Sequence, residues 1–328
     1  SVNHIFNGVR INMQLKRKFG DRYDGYRVKK VDPFFLLIPY IMKTRVDSQV
    51  YFSDTLDITE LERFVRRHGE TDIPGLKMYH VVIAAMVRLI ALRPYLNRFV
   101  MRGKIFARNH ISISMSIKRG TGDEALTTSI KPLFEPEDTL LDVVNKFNAA
   151  VDENRKEDAV NGTDNTASAI GNLPSWLVRF VVNFLTFLDR RGKMPKIINK
   201  VSPFHTSMFL TNMGSIGIRP IYHHIYEFGT TSVFVAIGKK QTVREVTADG
   251  QLIKHRLMGI KVVADERICD GQYYAQSMRM MAKILKTPSV LLAPPEEVVM
   301  DDGIILKGRL PKGASHPAAA LAGAAGPE

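Results

Sequence analysis

The chain of 328 residues contains a single cysteine, Cys269, and a single tryptophan, Trp176. One thiol excludes an intramolecular disulfide. Long apolar runs are also missing. The most apolar stretch, residues 176–188, is broken by Arg179 and Asn183 and is shorter than the roughly 20 residues a bilayer span needs. No basic-then-apolar leader opens the sequence. These absences lead to the expectation of a cytoplasmic protein with no membrane partner. Nine histidines are present without metal-ligand spacing, and the adjacent His223 and His224 would face opposite sides of a strand, so no metal site is expected. A net charge of +13 favours anionic partners. The Lys and Arg residues are scattered in pairs and triplets such as Lys16-Arg17-Lys18, Arg190-Arg191 and Lys239-Lys240, with no nucleic-acid module beside them. Most read as solvated faces, and nucleic acid is not expected as a partner.

With 45% hydrophobic residues the chain can bury a large core, and no compositional break divides its middle. We expect an N-terminal arm over residues 1–30, one domain over 31–311, and a disordered Ala/Gly/Pro-rich tail over 312–328. Asp32-Pro33 predicts a helix start, with an apolar helix over 34–42. A strand is expected over 50–58, then a polar helix through Arg67 and an apolar helix over 78–92 that ends before Pro94. Residues 104–117 alternate, with Ile111, Ile113, Met115 and Ile117 on one face and Ser112, Ser114 and Ser116 on the other, the pattern of a half-buried strand or hairpin arm. Residues 139–151 return to helical spacing, 152–172 read as a polar surface loop and candidate mobile segment, and 173–191 as a strongly apolar helix. The expectation for that helix is burial against the body or a neighbouring subunit, with docking on a membrane surface through its apolar face and basic ends as the alternative.

After Pro203 short strand-like runs dominate: 207–211, 232–237, 242–246, 252–257 and 260–263. Asp249-Gly250 supplies a hairpin turn. A helix over 272–285 follows, stopped by Pro288. Helices and strands alternate early and strands cluster late, so the class is α+β.

The junction Val262-Val263-Ala264-Asp265-Glu266-Arg267-Ile268-Cys269-Asp270-Gly271 puts three carboxylates, an arginine and a glycine between a strand and a helix. It resembles the Asp-His-Arg-x-x-Asp-Gly signature of the 2-oxoacid dehydrogenase acyltransferase catalytic domains and, more distantly, of chloramphenicol acetyltransferase. One departure matters: Glu266 stands where that family has its catalytic His. Leu56-Asp57-Ile58-Thr59-Glu60-Leu61, residues 77–97, Met208-Phe209-Leu210-Thr211-Asn212-Met213-Gly214 and Val233-Phe234-Val235-Ala236-Ile237-Gly238 resemble further family segments in the same order.

The resemblance implies a chloramphenicol acetyltransferase-like sheet sandwich covered by helices and a homotrimer with active sites between subunits. It also implies acyl transfer between coenzyme A, or a related thioester, and an acceptor the sequence does not identify. The family's lipoyl and peripheral-subunit-binding domains do not appear in this sequence, so the expectation is a catalytic core standing alone. The alternative is a catalytically inactive trimeric scaffold or binding module of the same fold. By the same resemblance, the hydroxyl at or next to Thr211, with Asn212 beside it, would serve the oxyanion. Asp270 would hold the turn by pairing with an arginine, for which Arg27, Arg45 and Arg267 are all candidates.

Glu266 carries two readings. It is a general base retuned by burial, since a carboxylate's reference pKa of ~4.3 is low for deprotonating a thiol. Or it is an ion-pair member with Arg267 or a nearby lysine. His205, His223, His224 and His255 are possible substitutes that the sequence alone does not bring to the site. Cys269 is either a nucleophile, which needs a lowered pKa and a placed base, or an apolar position next to Ile268.

Overall fold

A computed structural model describes residues 2–6, 9–15, 18–29, 31–118, 127–155, 171–247, 249–301 and 306–307. The expected tail over 312–328 and most of the expected loop, residues 156–170, lie outside the described residues.

The strands are β1 (Val2–Phe6), β2 (Val9–Leu15), β3 (Gly25–Arg27), β4 (Gln49–Asp57), β5 (Arg98–Met101), β6 (Lys104–Arg108), β7 (Ile111–Lys118), β8 (Thr127–Ile130), β9 (Leu133–Phe134), β10 (Met208–Asn212), β11 (Val233–Val246), β12 (Leu252–Asp265) and β13 (Leu306–Lys307). The principal helices are α1 (Pro33–Ile41), α2 (Thr59–Glu70), α3 (Met78–Leu92), α4 (Leu140–Arg155), α5 (Ser175–Arg190), α6 (Lys196–Val201) and α7 (Gly271–Lys286). The α+β class expected from the sequence is the one observed.

The main sheet is mixed and runs β4-β12-β11-β10-β7-β8. The β11–β12 hairpin is its spine, and β10 joins as a parallel strand between β11 and β7. The four short strand-like runs after residue 231 form two continuous strands whose ladder shifts register between Ile237 and Lys240. Glycines explain why the chain tolerates that shift. A Cβ on Gly238 would lie 2.2 Å from Pro220 Cδ and one on Gly259 2.9 Å from Pro220 Cγ, so the crossing segment around Pro220 needs both positions bare. The turn at the far end uses Gly250 at φ +78°, as the Asp-Gly signal predicts.

One face of the sheet carries the helices. Val81 to Ala91 of α3 are buried all round, which marks a central helix rather than a surface one. α2, α4 and α7 pack beside it. Across the other face runs the extended segment 218–228, where Ile225 fills a small core with Phe209, Phe234 and Val263, and the His223 ring stacks on Phe234 at 4.0 Å. Ser112 and Ser114 are fully buried while Ser116 is exposed, so the serine face of β7 is covered over its first half rather than solvated throughout as its alternation suggests.

Residues 25–27 of the expected N-terminal arm pair with β6, and Arg22 and Asp24 of the same arm are buried. The expected burial of the apolar helix α5 against the body is not found among the described residues. Its one buried residue is Asp189, because the helix is fastened mainly at its C-terminal end, where Asp189 pairs with Arg22 Nη2 at 2.8 Å and His205 Nε2 at 3.1 Å.

Candidate active site

The site begins where β12 leaves the sheet. Val262 and Ala264 point into the main core, which directs Val263 and Asp265 to the opposite face. There Asp265 is completely buried. Its carboxylate accepts from Arg267 Nε at 2.8 Å, Arg267 Nη2 at 2.7 Å and the Arg267 backbone N–H at 3.1 Å, with Arg45 Nε 3.6 Å away. Two buried guanidiniums therefore share one carboxylate.

Both arginines reach further. Arg267 Nη1 donates to Met42 O, and Arg45 donates to the carbonyls of Tyr226, Glu227 and Val100. Burial pushes the Arg45 guanidinium below its usual value, with Asp265 and Glu227 opposing that shift. The arrangement ties the linker after α1, the β5 end, the segment before β11 and the β12 end into one polar core.

Glu266 sits on top of this lock. Its backbone N–H donates to Ser48 O at 2.8 Å, fixing the turn, while its side chain is exposed. Among the described residues no hydrogen bond or ion pair engages the Glu266 carboxylate. The ion-pair reading of Glu266 is therefore not realised; Arg267 pairs with Asp265 instead. The burial that the general-base reading requires is not provided by a single chain either.

Asp270, expected to secure the turn through an arginine, is exposed and works differently. It is the N-cap of α7 and accepts the Tyr273 N–H at 2.7 Å. The carboxylate that meets buried arginines is Asp265. Of the three candidate arginines, Arg45 and Arg267 belong to this lock, and Arg27 lies on β3, where its backbone N–H meets Asp21. The sequence contained the clue in the alternation of β12: Asp265 shares the parity of Val263, but only the three-dimensional surroundings show that this face is covered.

Thr211 and Asn212 end β10 and lead into a tight turn over Met213–Ile216 that Gly217 closes at φ +78°. Both are partly buried, and Thr211 Oγ1 contacts Met213 Sδ at 3.5 Å. The sheet register puts Thr211 opposite Ala236, and Ala236 opposite Lys261. From Lys261 to the end of β12 at Asp265 is four residues, so Glu266 lies more than ~13 Å along the strand axis from the level of Thr211. The two halves of the expected site are therefore separated along the strands within one chain.

The other candidates resolve clearly. Cys269 is buried, and burial followed by the Asp270 charge pushes its thiol up to about 12, which removes the thiolate a nucleophile needs. His205 is buried between Asp189 and Ser202, whose Oγ lies 2.8 Å from Nδ1. His223 and His224 stack on one another on the second sheet face, and His255 pairs with Asp57. No described contact joins any of them to Glu266. Among the described residues no group of three His, Cys, Asp or Glu side chains gathers to hold a metal.

Next to the lock lies a cleft of about 420 Å³. Sequence reasoning did not single it out, because its cations come from four separate segments: Lys43, Arg45, Arg102, Arg190, Arg191 and Arg267.

Comparison with known proteins places this geometry in context. Residues 204–293, which contain both halves of the candidate site, match the family model described as 2-oxoacid dehydrogenases acyltransferase (catalytic domain). At the level of whole sequences no curated protein matches the chain. Among solved structures, a probable dihydrolipoamide acetyltransferase from Listeria monocytogenes is 14% identical, with 80% of this chain and 94% of that chain covered and a TM-score of 0.47. The dihydrolipoamide acetyltransferase of Azotobacter vinelandii is 14% identical over 81% of this chain and 94% of that one, with a TM-score of 0.48. A chloramphenicol acetyltransferase is 10% identical over 75% and 92%, with a TM-score of 0.45. The motif resemblance noted over residues 208–271 lies within the segment 204–293 that the family model matches.

Proposed function

We propose that the protein is an acyltransferase whose working form is a homotrimer in the cytoplasm, moving an acyl group between a coenzyme A thioester and an acceptor not yet identified. Glu266 of one copy acts as the base that takes the proton of the attacking thiol or hydroxyl. Thr211, with Asn212 beside it, faces the oxyanion from the neighbouring copy. Asp265, through Arg267 and Arg45, holds the Glu266 turn, and Asp270 starts the helix behind it.

The observation that carries this reading is the placement of Glu266: a carboxylate left without a partner on a turn whose backbone is pinned from three sides. Acyl transfer needs a base, oxyanion donors and an ordered pocket. One chain supplies the first two about 13 Å apart along its strands, so a site that unites them requires two copies. A neighbouring copy would also desolvate Glu266, the change that makes a carboxylate a stronger base.

The test compares thioester transfer from acetyl-CoA, oligomer mass by light scattering, and melting temperature for the wild type, Glu266→Gln and Glu266→His. Loss of transfer in Glu266→Gln with an unchanged melting temperature and a trimeric mass supports the proposal. A trimer with no transfer activity in the wild type or in Glu266→His supports the scaffold alternative, and a monomer at micromolar concentration removes the shared site.

A further inference from the structure

We infer that α1, α5 and the basic cleft between them form a face that docks on an anionic phospholipid surface. The inference stands apart from the catalytic reading. Its first support is an apolar stripe without a partner. Trp176, Phe180, Phe184 and Phe187 recur at helical spacing along α5 and are all exposed, Trp176 by 71% and Phe180 by 62%. α1 repeats the pattern with Phe34, Leu37 and Ile41, the last 68% exposed. A helix in a folded chain ordinarily turns such a stripe inward.

The two helices converge. The Tyr40 ring of α1 packs on Gly103, which lines the cleft, and the last turn of α5 lines it from the other side. No helix among the described residues is long and apolar enough to cross a membrane, so the geometry is that of helices lying in the interface plane.

The second support is charge. Residues 173–200 contain six Lys and Arg and one acidic residue, Asp189, which is buried against Arg22 and His205. Around the cleft, Lys43, Arg102, Arg190 and Arg191 are exposed and no ion pair among the described residues engages them, while Glu227, the exposed acid of the lining, accepts from the Arg45 backbone N–H. Arg191 lies over the Phe187 ring at 4.3 Å, at the border between the apolar stripe and the cations. Arg102 holds its place at φ +52°, in a conformation side chains of its kind rarely adopt. Aromatic residues flanked by unpaired cations are what an anionic headgroup layer accepts: rings at the acyl boundary, guanidiniums on phosphate.

A second copy of the chain is the rival occupant. A copy that met this face with the same face would set Arg190 and Arg191 against their own counterparts, like charge against like charge.

Trp176 is the sole tryptophan of the chain and sits on the proposed face, so its fluorescence reports docking directly. The wild type is titrated with phosphatidylcholine vesicles and with phosphatidylcholine/phosphatidylglycerol vesicles, and co-sedimentation is measured in parallel. The expected result is a blue shift and sedimentation with the anionic vesicles, weakened by salt. Replacing Arg190 and Arg191 together by Ala should weaken binding about 30-fold, from roughly a factor of five per cation. Phe180→Glu with Phe184→Glu should abolish the shift without changing the melting temperature. No shift, or an equal shift with both vesicle types, overturns the proposal. So does a blue shift without lipid that rises with protein concentration, tracks an increase in mass and disappears in the Phe-to-Glu variant, since the face would then join copies of the chain.

Discussion

Replacing Asp265 by Asn tests whether the Glu266 turn is held by a buried charge cluster. The substitution keeps the volume but removes the charge shared by Arg267, at 2.7 and 2.8 Å, and Arg45, at 3.6 Å. Both guanidiniums are almost fully buried and would be left facing an amide that can accept at one atom only. Removing one partner of a buried pair costs about 3–5 kcal/mol, because the remaining charge stays desolvated. The carbonyls of Met42, Tyr226, Glu227 and Val100 still accept from the arginines, which argues for the lower half of that range. A domain of this size unfolds with an entropy near 0.6 kcal/mol per kelvin, from about 2 cal/mol/K per residue, so a loss of about 3–4 kcal/mol lowers the melting temperature by about 5–6 °C. Glu266→Gln, one residue away and exposed, should stay within about 0.5 kcal/mol. Calorimetry on both variants decides the matter. An Asp265→Asn melting temperature within 1 °C of wild type, about the spread expected from the neutral substitution, would refute the claim that this carboxylate is the keystone.

Three further outcomes follow from geometry already described. Gly238→Ala should destabilise the protein by roughly 2–4 kcal/mol in urea denaturation, since its Cβ would fall 2.2 Å from Pro220 Cδ; a neutral result would mean that the crossing segment moves aside. Cys269 should resist iodoacetamide at pH 8, with a labelling rate at least ~1,000-fold below that of a free thiol in the folded protein and normal in urea; fast labelling of folded protein contradicts its burial. Asp57 is held down to about 2 by the hydroxyl and backbone N–H of Thr59 and by His255. Its contribution is therefore complete above the ordinary carboxylate range near pH 4 and is lost as pH falls toward 2, and solvent screening keeps it below about 1 kcal/mol. An NMR titration midpoint near 4 for this carboxyl would contradict those hydrogen bonds.

Much of the fold was legible because local periodicity and burial agree. The boundaries of α3, the Asp32 cap of α1 and the Asp249-Gly250 hairpin all follow from side chains acting on their own backbone neighbourhood. The sequence is less informative wherever the answer depends on what lies across a face. An apolar stripe announces that α5 wants a partner, but the chain leaves the stripe uncovered. The Ser112 and Ser114 face of β7 reads as solvated, yet both serines are buried, with Thr206 hydrogen-bonded to Ser112. In the candidate site, two acids five residues apart look interchangeable; only the convergence of Arg45 from the α1–β4 linker and the segment before β11 makes Asp265 the buried one. The basic cleft was invisible because its residues are distant in sequence.

The register of the main sheet has one more consequence. Under the proposed reading, with Thr211 and Glu266 about 13 Å apart along the strands, each chain carries two half-sites and completes neither, and activity becomes a property of neighbouring pairs. Two inactive proteins, Glu266→Gln and Thr211→Ala, would then rescue one another when unfolded and refolded together. In randomly assembled rings with one junction type, about a quarter of junctions receive an intact Glu266 from one copy and an intact Thr211 from the next. Recovered activity near that fraction, absent when the two proteins are mixed without unfolding, would make the boundary between chains the place where this protein works.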